Sequence, residues 1–371
     1  MSWNPHQLHF EHIHLEISSK CALKCPRCPR TEHPETPWLS KQLSLLDVKK
    51  LLPEAILREQ TQRVTICGDV GDPIYNTEFH EILSYIKGVN PLIHLYIVTN
   101  GSYRSQDWWQ KTAQILNERD TVAFSIDGYD DQTNQLYRVG SNWESIALGM
   151  LEINKSEAFM VWACILFSFN ENEMDRIQKL AIERGCDSLQ ITKSTKFGLN
   201  YKRFNEDQGI DPLQPTKKSI SNSLRFERNT IQLSERVINN YKFMKTMIEN
   251  TARNEELYSQ TPVFPLCKTG NRGLYINVTG QVFPCSWVSF PFEKTYSLKT
   301  GRSITFQDSF FNRFADQFNL LKRDFNEVIA DPLWQKVFGG FQNEKTCFIE
   351  CEHKCSQEFM SPSYKVDWFL N

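Results

Sequence analysis

The chain has no long uncharged apolar run, so nothing in its 371 residues reads as a membrane-spanning helix. No apolar signal segment stands at its start, so export is not expected. It has no excess of charge of either sign. With 42 basic and 44 acidic residues, the formal net charge of −2 gives no global attraction to nucleic acid or to an anionic membrane. A basic stretch interleaved with aromatics is also missing. Trp108, Trp109, Trp287, Phe290, Phe310, Phe311 and Trp334 read as core residues rather than as a platform for bases. Internal repeats and low-complexity tracts are absent. Membrane and nucleic-acid partners are therefore not expected.

Cysteine is what the chain does have. Eleven thiols without a secretory signal fit a reducing cytoplasm, where they stay available to metal. Cys67, Cys164 and Cys186 each stand alone and read as small buried hydrophobes. Cys21, Cys25 and Cys28 form a C-x3-C-x2-C frame directly after the extended segment Phe10 to Ser18. A cubane iron–sulfur cluster has four irons and takes thiolates as its usual protein ligands, so three thiols on one loop leave one iron open for a small molecule. The alternatives are a zinc site or a disulfide loop. Structural zinc takes paired ligands at spacings that His12, His14 and His33 do not supply. Disulfide frameworks belong to short secreted chains. The remaining thiols, Cys267, Cys285, Cys347, Cys351 and Cys355, lie toward the C-terminal end.

The length suggests two to three domains. Short segments rich in Ile, Val, Leu or Phe predict strands at Phe10–Ser18, Arg63–Cys67, Leu92–Thr99, Val122–Asp127, Phe159–Phe167 and Ser188–Thr192. Between them, helical patterns run over Leu45–Glu59, Glu78–Lys87, Asp107–Glu118, Trp143–Asn154 and Glu173–Arg184, the last with Asn172 as N-cap and Gly185 after its end. This alternation predicts an α/β fold with parallel strands and right-handed crossovers, most of a (β/α) barrel. Polar motifs follow the strands: the cysteine loop, Gly68-Asp-Val-Gly-Asp-Pro73, Thr99-Asn-Gly101 and Ser125-Ile-Asp-Gly128. Carboxyl ends of parallel strands form the active-site face of such folds. Residues 201–260 turn polar, with a helical pattern near Leu233–Ile248, and read as a linker or lid. Gly273–Val278 and Gln281–Cys285, flanking Thr279-Gly280, read as a hairpin.

These motifs, in this order, resemble the radical S-adenosylmethionine superfamily over roughly residues 10 to 195. The cysteine frame looks like its signature, and Gly71-Asp72-Pro73 looks like its Gly-Gly-Glu-Pro loop. There are two departures. Arg27 stands where an aromatic residue usually precedes the third cysteine, and Val70-Gly71-Asp72 replaces two glycines and a glutamate. The resemblance implies a partial (β/α)6 TIM-like barrel over 1–200. It implies a [4Fe-4S] cluster on Cys21, Cys25 and Cys28 that chelates S-adenosylmethionine, whose reductive cleavage yields a 5′-deoxyadenosyl radical that takes a substrate hydrogen. It also implies a reducing partner such as flavodoxin or ferredoxin. Asp72, with Gly71, is the position for the methionine ammonium, Asn100 and Ser125 for the ribose side, and Arg138 for the carboxylate. No catalytic acid, base or radical donor is assigned.

Residues 261–371 resemble the smaller auxiliary-cluster domains called SPASM and Twitch. Cys267, Gly280 and Cys285 fit their opening, and Cys347-x3-Cys351-x3-Cys355 follows. Five thiols supply the four that one cubane needs but not the eight of two, so one auxiliary [4Fe-4S] cluster is expected, with a tetrahedral zinc site the alternative. Relatives with such domains modify peptides, mature sulfatases or dehydrogenate small polyols. The expected reaction is an oxidative modification or cross-link on a peptide or protein side chain. A small-molecule dehydrogenase or epimerase is the alternative, and a non-enzymatic electron carrier or structural metal protein is the reading from another class.

Overall fold

A single sheet organises the chain, and its order follows from how each strand is connected to the next. The computed structural model describes residues 11–34, 36, 38–194, 211–216, 222–225, 273–289, 295–296, 303–304, 309–339, 348 and 351. Strands β1 (His12–Leu15), β2 (Arg63–Ile66), β3 (His94–Thr99), β4 (Thr121–Ser125), β5 (Phe159–Leu166) and β6 (Ser188–Lys193) stand in chain order. Helices separate them, and β1–β2, β3–β4, β4–β5 and β5–β6 all pair in parallel. Strand β7 (Asn222–Arg225) runs antiparallel beside β6. At the other side, β8 (Gly273–Ile276) pairs in parallel with β1, and β9 (Val282–Phe283) pairs antiparallel with β8. The full order is β7-β6-β5-β4-β3-β2-β1-β8-β9, so the sheet is open rather than a closed barrel. Strand interiors are nearly continuously apolar, as sheets covered on both faces require: Ile13, Leu15, Val64, Ile66, Leu95, Ile97, Val122 and Phe124 are all buried.

The helices begin and end where local chemistry dictates. The pattern over Leu45–Glu59 forms two helices, α2 (Leu45–Leu51) and α3 (Glu54–Glu59), after the short α1 (Pro29–Glu32). Pro53 is the reason, because it lacks an N–H and pushes the preceding residue out of helical geometry. Ser44 caps α2 reciprocally with Asp47. Helices α4 (Phe79–Val89), α5 (Gln106–Ile115), α6 (Asp131–Asn134), α7 (Trp143–Asn154) and α8 (Met174–Glu183) return the chain between strands. Glu173, not Asn172, precedes α8 as its N-cap, without a side-chain bond. The expected C-terminal glycine takes a left-handed conformation (Gly185, φ 74°), and Cys186 N–H reaches back to the Ala181 carbonyl.

The hairpin β8–β9 turns at Asn277–Gln281, where the Asn277 side chain accepts from Thr279 and Gln281 and Gly280 takes φ 78°. Phe283, Phe311, Phe318 and Trp334 pack beyond it as a buried aromatic core, with the Phe311 and Phe318 rings 5.0 Å apart. Trp109 is buried as well, whereas Trp287 is exposed and Phe290 lies outside the described residues. Cys164 and Cys186 are buried as expected of structural thiols, and Cys67 is half-buried. The helical pattern at Leu233–Ile248 lies outside the described residues. Among those residues, no helix is long and apolar enough to cross a membrane. The chain divides into two compact units. Among described residues, one holds 11–20, 38–95 and everything from 273 onward, and the other holds 21–34, 36, 96–194, 211–216 and 222–225.

Candidate functional site

Within the second unit, the cysteine loop is a compact turn. Cys28 N–H bonds the Cys25 carbonyl, and Cys28 then serves as the N-cap of α1 without a side-chain bond, so its thiol is not spent on the helix. The Cys21 sulfur accepts from the Leu23 N–H at 3.4 Å and from Asn100 Nδ2 at 3.6 Å. Leu23, Cys25, Tyr137 and Phe167 form a buried apolar cluster that Cys21, Cys28 and Leu213 pack against. Burial pushes the Cys25 thiol up to about 11, opposed by the positive charge of the nearby Arg138 guanidinium.

Arg138 is anchored from behind. Its Nε donates to Asp127 Oδ2 at 2.6 Å, and Asp127 is fully buried with Oδ1 accepting the Ile165 N–H. Burial works against the Arg138 charge, but Asp127 and Cys25 outweigh it and hold the guanidinium protonated above its usual range. Two asparagines fix the Ser125-Ile-Asp-Gly128 turn. Asn134 Oδ1 accepts from the Asp127 and Gly128 N–H groups, and Asn170 Nδ2 donates to the Asp127 carbonyl. Only glycine fits at 128, where a Cβ would meet Asn134 backbone nitrogen at 2.1 Å. Ser125, at the end of β4, is half-buried. Arg27 does not reach out in place of the missing aromatic. It is buried in an ion pair with Asp211, whose neighbour Leu213 accepts from the Ser168 N–H through its carbonyl.

Within the first unit, the Gly68–Pro73 loop lies against the end of β1. A Cβ at Gly71 would meet the Ser18 carbonyl oxygen at 2.3 Å and Ser19 Cα at 2.4 Å, so the residue type is dictated by backbone-to-backbone approach. Asp72 N–H bonds the carbonyl of Lys20, the residue before Cys21. The buried Asp72 carboxylate accepts from Ile74 N–H and caps the 3-10 turn Pro73–Tyr75. Asn76 completes the attachment by donating to the Ile17 and Leu43 carbonyls. Glu16, buried beside this loop, bonds the Val70 N–H.

The structure thus brings Cys21, Cys25, Cys28, Asn100 and Arg138 together, with Asn100 donating to Cys21 and the Arg138 charge acting on Cys25. Reasoning from sequence missed Asp127, Asn134, Asn170, Asp211 and Glu16. Asp127 had a signal, since it is the third residue of the Ser-Ile-Asp-Gly motif. The others act through folds of the chain that no local pattern displays. Of the C-terminal thiols, Cys285 is half-buried just after β9 and Cys351 is buried, while Cys267, Cys347 and Cys355 lie outside the described residues. Among the described residues, no three His, Cys, Asp or Glu side chains converge on one point where a single metal ion would sit. Three thiols that each take a separate iron of a cluster need no such convergence. The donor set fits a cluster: three thiols on one loop, with an apolar wall, a donor aimed at the Cys21 sulfur and a guanidinium charge near Cys25.

Comparison with known proteins agrees. Residues 15–181 match the family model described as the Radical SAM superfamily. A probable GTP 3′,8-cyclase from Methanococcus maripaludis is 30% identical over 138 residues, which is 37% of this chain and 43% of that protein. The match therefore spans less than half the length of that curated relative. Among solved structures, Streptococcus suis SuiB bound to its precursor peptide SuiA superposes with a TM-score of 0.55 at 15% identity, over 93% of this chain and 72% of that one. SuiB bound to S-adenosylmethionine gives 0.54 at 14%, over 92% and 72%. Native anSMEcpe with bound AdoMet gives 0.50 at 15%, over 93% and 88%. These likenesses show the fold. The thiol loop of Cys21, Cys25 and Cys28 lies inside the segment 15–181 that matches the Radical SAM superfamily model.

Proposed function

We propose that the chain is a radical SAM enzyme that oxidatively modifies or cross-links a side chain of a peptide or protein, with a second cluster held by the C-terminal thiols. The observation that carries this reading is the loop of three thiols, Cys21, Cys25 and Cys28, lying in a family match with no fourth thiol on the loop. When bound, the cluster and S-adenosylmethionine supply reductive cleavage to a 5′-deoxyadenosyl radical. The chain's own residues hold and shape that chemistry. Arg138, backed by Asp127, favours the thiolate of Cys25 against its burial, which metal binding requires. Asn100 donates to Cys21, and hydrogen bonds to cluster sulfurs tune the potential of such centres. Leu23, Tyr137 and Phe167 give the thiol loop an apolar wall. Gly71 admits close backbone approach, and Asp72 is the acidic group for the methionine ammonium, with Ser125 on the ribose side. Because Arg138 is engaged by Asp127 and Cys25, its role is with the cluster loop at least as much as with a carboxylate.

The peptide reading is supported by the likeness in fold to SuiB, a protein whose structure was solved with a precursor peptide. One auxiliary cluster would accept the electron left on the substrate, and Cys267, Cys285, Cys347, Cys351 and Cys355 supply its ligands. The matched segment of a probable GTP cyclase favours the alternative, a small-molecule substrate handled as by a dehydrogenase or epimerase. The test is incubation of reconstituted protein, S-adenosylmethionine and reductant with peptides encoded in neighbouring reading frames, read by mass spectrometry. Loss of two hydrogens per 5′-deoxyadenosine is expected. Unchanged mass in water, with a gain of one deuterium when the reaction is run in D2O, would indicate epimerisation instead, and no peptide change with turnover of a small molecule would overturn the peptide reading.

A further inference from the structure

Glu16 is a buried carboxylate that the chemistry above does not use. It follows β1, and its own N–H bonds the Ile276 carbonyl on β8. Its two oxygens bond two different segments of the chain. Oε1 accepts the Val70 N–H at 3.0 Å, one residue before Gly71-Asp72. Oε2 accepts the Tyr275 hydroxyl on β8 at 2.9 Å, and both residues are almost fully buried. Tyr275 in turn stands opposite Phe283 in the hairpin register, two residues before Cys285. His14 on β1 packs edge-on to the Tyr275 ring at 4.8 Å and meets the Cys67 carbonyl at the end of β2. All these residues belong to one compact unit. A buried carboxylate that merely filled space would cost stability with nothing in return. One that joins two segments lying 205 positions apart, Val70 and Tyr275, sets where both of them sit.

We propose that Glu16 is a positioning residue that couples the Gly68–Pro73 loop to the β8–β9 hairpin, so that the loop's hold on S-adenosylmethionine depends on a hydroxyl carried by the C-terminal segment. The ligand in that statement rests on the function proposed above. The coupling itself is a property of the protein alone. By linkage, binding at the loop and the arrangement of the hairpin then influence one another to the same degree.

The experiment compares Tyr275→Phe, Glu16→Gln and Glu16→Leu with the parent protein in two assays. Hydrogen exchange of the Gly68–Asp72 amides is followed on protein without S-adenosylmethionine, and S-adenosylmethionine affinity is followed by equilibrium dialysis on reconstituted protein. Tyr275→Phe keeps the ring and removes the bond. It is expected to speed exchange in the loop and to weaken S-adenosylmethionine binding, each by about 3- to 10-fold, the range one hydrogen bond supplies. Glu16→Gln keeps an acceptor for Val70 and is expected to hold parent-like protection in the loop, whereas Glu16→Leu loses it. Parent-like exchange and affinity in Tyr275→Phe would overturn the coupling, even if Glu16→Leu failed to fold. Equal behaviour of Glu16→Gln and Glu16→Leu would show that Glu16 only fills space. A parent protein that binds no S-adenosylmethionine would contradict the functional reading, while the exchange measurement would still decide the coupling.

Discussion

Glu16 carries its charge at a cost, and that cost depends on pH. Burial, and next the nearby charge of Asp69, push its carboxyl from 4.5 up to about 7, while the bonds from Val70 and Tyr275 pull it back. A carboxyl raised in the folded state binds a proton there that the unfolded chain has already released. Its contribution to stability is therefore complete below about 4.5 and is lost as pH rises through about 7. The other groups facing it are His14 on its own strand, whose imidazole burial pushes downward, and the Cys67 thiol and Tyr275 hydroxyl, both pushed upward by burial. Glu16→Gln removes the titration. Denaturant unfolding should show the variant gaining on the parent by up to about 3 kcal/mol across that window, most of it between pH 5 and 7. Parallel pH profiles for the two proteins would mean that Glu16 does not titrate in this range.

Among the elements, the Gly68–Pro73 loop and the turn before α7 make a controlled comparison. Gly71→Ala would place a Cβ 2.3 Å from a carbonyl oxygen of the chain itself, which cannot rotate aside. The loop must move, at a cost at or above the ~3 kcal/mol reached by overpacked cores, and binding at the loop should be lost with it. Gly140→Ala sits at φ 83° with the Ala22 carbonyl oxygen, the nearest atom beyond its chain neighbours, at 3.8 Å, so it meets conformational strain alone, about 1–2 kcal/mol. Chemical denaturation and dialysis binding of the two variants should separate. Equal effects would refute the close approach at Gly71. At this scale, much of the fold was legible in sequence. All six core strands formed within a few residues of their expected bounds, because each is a short run rich in Ile, Val, Leu or Phe. Pro53 divided the expected helix over Leu45–Glu59. The parallel pairing of β8 with β1 was not legible, since periodicity reports the face a residue takes and not which distant strand lies beside it.

For the whole molecule, the three thiols and the order of the motifs after the strands marked the candidate site in the sequence. The partners that hold it did not show themselves. Arg138 looked available to a ligand, yet a buried Asp127 claims it, and Arg27 is claimed by Asp211 from 184 positions away. Such pairs are set by long-range folding, which spacing cannot reveal. The central claim is that Cys21, Cys25 and Cys28 hold a cluster whose open iron cleaves S-adenosylmethionine, independently of the C-terminal thiols. Its most direct test is 5′-deoxyadenosine formation by anaerobically reconstituted protein with reductant, comparing the parent with the triple Cys→Ala variant and assaying iron in both. The expected result is turnover by a parent carrying about eight irons, and none by a variant that keeps about four. A variant that still releases 5′-deoxyadenosine at the parent's rate would contradict the claim.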